Sequence, residues 1–86
     1  MSVKQKEIKI RVPPNLSMVD LVGHADEWLK IIESSFTSSI LVRGNEITIT
    51  GEEEEAERAC RLFKELIVLL EKGHQLSADN IRVSIN

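Results

Sequence analysis

Ile8, Ile10 and Val12 alternate with Glu7, Lys9 and Arg11, the period-two pattern of a strand with one buried face and one wet face. Pro13 and Pro14 end it, because neither carries an N–H for a ladder and each restricts the residue before it. Leu16, Met18, Val19, Leu21 and Val22 then supply an apolar side for a helical turn or two over 15–21, with Asn15 as N-cap and Gly23 as the interruption. From 25 to 36 the spacing of Ala25, Trp28, Leu29, Ile32 and Phe36 is helical, with Glu27, Lys30 and Glu33 opposite. Ser34, Ser35, Thr37 and Ser38 mark the loop that follows.

Gly44-Asn45 separates two short β-rich runs and suits a two-residue primed turn. Counting outward, Arg43 faces Glu46, Val42 faces Ile47, Leu41 faces Thr48 and Ile40 faces Ile49, so the branched apolar pairs share one face. Thr50 as N-cap with Glu53 as its capping-box partner predicts the start of a long helix, and the acidic run 52–57 sits at the positive end of its dipole. Ala56, Ala59, Cys60, Phe63, Leu66, Ile67 and Leu70 form its buried stripe, and Gly73 after Lys72 is the stop. Ser77 and Asp79 open a last short helix with Leu76 and Ile81 as apolar contacts; the pattern breaks off at Asn86 without a terminator, so the parent chain is expected to continue.

Composition narrows the class. The 86 residues allow one small core, and the abundance of Ile, Leu and Val excludes a disordered tail. Cys60 has no cysteine partner, no apolar run reaches a membrane span, and no signal-peptide layout is present, which together imply a cytoplasmic chain without membrane contact. A net charge of −3 argues against a dedicated high-affinity nucleic-acid binder. What basic excess exists lies early, in Lys4, Lys6, Lys9 and Arg11.

The expected order is strand, short helix, Gly-led turn, helix, strand, strand, long helix: an α+β domain with helices on one face of a three-stranded sheet, the order β-α-α-β-β-α of a type I KH domain. Within it, Leu21-Val22-Gly23-His24-Ala25-Asp26-Glu27-Trp28-Leu29-Lys30-Ile31-Ile32-Glu33 resembles the PhoH family's glycine, two variable residues, an acid and a leucine-lysine helix. Val42-Arg43-Gly44-Asn45-Glu46-Ile47-Thr48-Ile49-Thr50-Gly51-Glu52 is similar to the family's Arg-Gly-Asn hairpin, and 73–85 resembles its tail. Trp28 departs from the pattern, which has asparagine there.

The resemblance covers 7 to 85 and implies that residues 1–86 are a single KH-like accessory domain, a fragment N-terminal to a P-loop ATPase domain. Its implied partners are that ATPase domain and, weakly, single-stranded RNA, with homo-oligomers of the full-length protein also in view. ATP and Mg²⁺ would belong to the missing domain. This chain has no Gly-x-x-x-x-Gly-Lys-Ser/Thr loop to hold phosphates, so no cofactor, catalytic residue or ATP hydrolysis is assigned to it.

KH domains clamp about four nucleotides with a Gly-x-x-Gly loop. Gly23, His24, Ala25 and Asp26 occupy that place, with aspartate for the second glycine, and Lys30 follows on the helix. The simpler reading of Asp26 is a helix N-cap. Lys9, Arg11 and Arg43 can form a modest basic strip for phosphate, or only a solvated face. His24, His74 and Cys60 lack the spacing of a zinc site, and Trp28 at helical spacing with Ile32 and Phe36 belongs to the core unless exposed, when it can stack a base. Two functions therefore stand: a weak RNA-contact module beside the ATPase, or a protein-interaction and assembly module using Leu41 and the flanking sheet face.

Overall fold

A computed structural model describes residues 4–85. The pattern's end at Asn86 lies outside them. Strands β1 (Gln5–Arg11), β2 (Ser39–Arg43) and β3 (Glu46–Glu52) form one antiparallel sheet in the order β1-β3-β2. Helices α1 (Met18–Val22), α2 (Glu27–Ser35), α3 (Glu53–Glu71) and α4 (Ala78–Ile85) complete the expected α+β order, with a single turn over His24–Asp26 between α1 and α2.

The hairpin register is the expected one in all four pairs, from Arg43 opposite Glu46 to Ile40 opposite Ile49. Only Gly44 of the two turn residues has positive φ, at 57°, so the turn follows the pattern with glycine at the first central position. Val12 N–H donates to the Asn45 carbonyl at 2.7 Å, tying the end of β1 to this turn. β1 adds Ile10 opposite Ile47 and Ile8 opposite Ile49. Ile10, Ile47 and Ile49 thus face the helices and are buried with Phe63 and Leu66 of α3, each full burial contributing roughly 1.5–3 kcal/mol. The stripe of α3 also includes Leu62, absent from the sequence reading, because α4 returns over that side of the helix.

Three helix starts differ from expectation. Asn15 does not cap α1: it sits inside a turn closed by Leu16 N–H to the Pro13 carbonyl at 3.0 Å, and α1 begins after Ser17. Thr50 does not cap α3 either, because β3 stays paired with β1 as far as Glu52, holding Thr50 opposite Glu7. The first N–H of α3, from Glu53, instead donates to the Lys4 carbonyl at 2.9 Å, so the residue just before β1 supplies the acceptor a capping box would have supplied. Asp26 is the third and belongs to the candidate site. The other termini match. Gly73, at φ 88°, donates to Leu70 and His74 to Leu69, both at 3.0 Å, which is a Schellman stop, and Ser77 Oγ accepts from Asn80 N–H at 3.2 Å.

Candidate nucleic-acid interface

The turn between α1 and α2 is built on Gly23, whose φ of 84° and ψ of 169° lie where side chains are scarcely tolerated. Space demands glycine as well: a Cβ there would lie 2.5 Å from Glu27 Cγ and 2.8 Å from Trp28 Cδ1. Ala25 and Asp26 then take left-handed backbone, with φ of 54° and 59°, and Asp26 N–H closes the turn on the Gly23 carbonyl at 3.2 Å. His24, Ala25, Asp26 and Lys30 are all exposed at the start of α2, whereas Gly23 itself is buried.

Asp26 stands at the N-cap position without making the expected side-chain cap. A capping side chain reaches the N2 or N3 amide from extended backbone, and left-handed backbone aims it elsewhere. The first amides of α2 are therefore not held by this carboxylate. The two left-handed residues also carry strain, which for alanine is of order 1–2 kcal/mol and for aspartate less. Ala25→Gly is accordingly expected to raise unfolding stability by about 1 kcal/mol, and Asp26→Gly by less, in urea titrations. A loss of stability on Ala25→Gly would contradict the turn geometry.

Trp28 is half-buried: it packs on the core and also lines an open groove of about 500 Å³ with Gly23, His24, Leu70 and His74. The sequence spacing assigns it to the core unless exposed, and it is partly both. What spacing does not contain is the return of the chain at 73–76 after the Schellman stop, which leaves one side of the ring facing a cleft. Asp20 and Glu27 line the same groove, so with Asp26 the turn region carries three carboxylates against Lys30. That balance opposes phosphate at close range.

Lys9, Arg11 and Arg43 lie elsewhere. They are exposed on the sheet face opposite the helices, since their neighbours Ile8, Ile10 and Val42 point to the core. The pairings run Arg11 to Glu46 to Arg43 and Lys9 to Thr48 to Leu41. Glu46 thus separates the two arginines, and the expected basic strip is a checkered face. The eight candidate residues form two groups, one on the turn and one on the open sheet face. Cys60 is buried on α3.

No family model matches the chain. It is 37% identical over 81 residues to a PhoH-like protein of Mycobacterium tuberculosis (strain ATCC 25618 / H37Rv), a match that takes in 94% of this chain and 23% of the relative. A PhoH-like protein of Bacillus subtilis (strain 168) is 31% identical over 67 residues, 78% of this chain and 21% of the relative. Among solved structures, the first KH type I domain of human vigilin superposes with a TM-score of 0.68 at 21% identity, covering 91% of this chain and 88% of that one. Dim2p from Pyrococcus horikoshii OT3 gives 0.70 at 15% identity, over 94% of this chain and 48% of that one. The chain is a KH-like domain related to the PhoH-like proteins. It spans about a quarter of the length of those relatives. The Gly23 turn lies between the first two helices, and Asp26 stands where a Gly-x-x-Gly clamp has its second glycine.

Proposed function

We propose that this chain is the N-terminal, non-catalytic domain of a PhoH-like ATP-binding protein and makes a weak contact with single-stranded RNA beside the ATPase. ATP and Mg²⁺ belong, in this reading, to the parent's P-loop domain, which is also the KH-like domain's first partner, and the protein works in the cytoplasm. The observation that carries the reading is the arch that rises from buried Gly23 through exposed His24, Ala25 and Asp26, in a KH-like fold, opening a helix that the Asp26 side chain does not cap. The three carboxylates around it favour a weak contact over a tight one.

Titration of single-stranded RNA is expected to give an affinity no tighter than roughly 10⁻⁴ to 10⁻⁶ M, falling steeply with salt. Asp26→Gly restores the second glycine and removes one negative charge, and is expected to strengthen binding about fivefold at matched salt. Asp26→Asn removes the charge but keeps the side chain, so an equal gain from both assigns the effect to electrostatics. Weaker binding by folded Asp26→Gly would make Asp26 part of the contact and overturn the reading of this turn as a decayed clamp.

One observation favours an assembly role. Leu41 is 51% exposed midway along the edge strand β2 on the open sheet face, an apolar side chain suited to docking on the ATPase domain or a neighbouring subunit in a homo-oligomer.

A further inference from the structure

β1 is an edge strand: among the described residues only β3 pairs with it, so one side of its backbone is unpartnered. That side opens on a groove of about 480 Å³ between β1 and α3, whose apolar wall is Ile8, Ile10, Cys60, Ile67 and Val68. Val68 is 46% exposed, and Ile10 and Cys60 form a buried floor. Every charged residue of the lining is a cation, namely Lys9, Arg11 and Lys64. Lys6, the next cation along β1, already has Glu57 at 3.6 Å.

We propose that this edge takes up an extended acidic segment of a partner protein by strand addition, with acidic and apolar residues alternating along it. Main-chain hydrogen bonds to β1 supply register-independent affinity, and the alternation supplies specificity. Because β1 has period two, a strand laid beside it presents alternate side chains to Ile8 and Ile10 on the helix side and to Lys9 and Arg11 on the open side. The partner β1 already has follows the apolar half of this rule, with Ile47 and Ile49 against Ile10 and Ile8, and on the open side sets Glu46 against Arg11 and Thr48 against Lys9. A second copy of this chain is the poorer occupant, since it brings its own Lys9, Arg11 and Lys64 to a groove that holds the same three, and lysine on an edge strand discourages such self-pairing.

The probe is an end-blocked peptide of seven residues alternating Glu and Val, beginning and ending with Glu, matched to the seven residues of β1. Added to the 86-residue chain, it is expected to slow amide exchange in β1 and to shift the resonances of Ile8, Ile10, Ile67 and Val68. The matching peptide of Lys and Val is expected to bind at least tenfold more weakly, and so is the Glu-Val peptide to Lys9→Glu/Lys64→Glu. Both substituted side chains are exposed, and an unchanged circular dichroism melt separates loss of binding from loss of fold. Equal binding of the two peptides, or shifts confined to residues away from β1 and α3, overturns the proposal. Concentration-dependent dimerisation abolished by the same double substitution would assign the edge to a second copy, and displacement of the peptide by single-stranded RNA would assign it to nucleic acid; either result also overturns it.

Discussion

Gly23→Ala is expected to lower the stability of the domain by about 3 kcal/mol, read from the urea midpoint at unchanged slope. Two costs combine. The backbone at φ 84° and ψ 169° is a region essentially reserved for glycine, which costs an alanine of order 1–3 kcal/mol. The new Cβ would also lie 2.8 and 2.9 Å from the Cδ1 and Cγ atoms of Trp28, and 2.5 Å from Glu27 Cγ. Glu27 is exposed and can rotate away, whereas Trp28 packs on the core and can yield only by disturbing α2. Domains of this size are stable by roughly 0.05–0.15 kcal/mol per residue, so the loss is a large part of the total. Gly44→Ala is the control, because Gly44 has φ 57° with nothing within 4 Å of the added carbon, and only strain of about 1 kcal/mol applies. If the two substitutions cost the same, the close approach of Trp28 to the turn is not a feature of the folded domain.

The same glycine marks how far the sequence could be read. Strand faces and hairpin pairing were legible because period-two burial and a Gly-Asn turn fix one register between them, and the four pairs from Arg43–Glu46 to Ile40–Ile49 formed as counted. The end of α3 was legible for a similar reason: Gly73 can hold the φ of 88° that a Schellman stop requires. Helix starts were not. Asn15, Asp26 and Thr50 are all good capping residues by type, yet none caps with its side chain: Asn15 sits in a turn closed on Pro13, Asp26 has left-handed backbone, and Thr50 stays in β3 opposite Glu7. At α3 the decisive group is the Lys4 carbonyl, which no local pattern around Thr50 can reveal.

The candidate site divides along the same line. That a turn led by Gly23 precedes a helix followed from local spacing, whereas the two consecutive left-handed residues did not. Nor did the separation of the basic residues. Lys9, Arg11 and Arg43 look like one strip along the chain, but the order β1-β3-β2 puts Glu46 between the arginines and sets all three on the face turned away from the Gly23 turn. An RNA bound along the turn therefore gains little from them. The RNA reading and the strand-addition reading fall on different surfaces and can be tested independently.

Gly51→Ala is expected to cost about 2 kcal/mol, for a reason opposite to that at Gly23. Its backbone is that of an ordinary strand residue, paired with Lys6 across the sheet, so no conformational penalty applies. The obstacle is packing: a Cβ would meet Ser38 Oγ at 2.6 Å and Ser38 Cα and Cβ at 2.9 Å. Ser38 is buried where the chain enters β2, and a change of its rotamer relieves only the Oγ contact. The start of β2 has to move away from β3, which loosens the pairing of Ser39 with Thr50. Removing the neighbouring side chain should recover part of this, so in a Ser38→Gly background the cost of Gly51→Ala is expected to fall to about 1 kcal/mol, a coupling within the range seen for residues in contact. Losing the Ser38 hydroxyl should itself cost little, since it has no hydrogen-bond partner among the described residues. Urea titrations of the four proteins in this cycle decide the matter. If the two substitutions add without coupling, the contact between Gly51 and Ser38 does not set the separation of β2 from β3 at this end of the sheet.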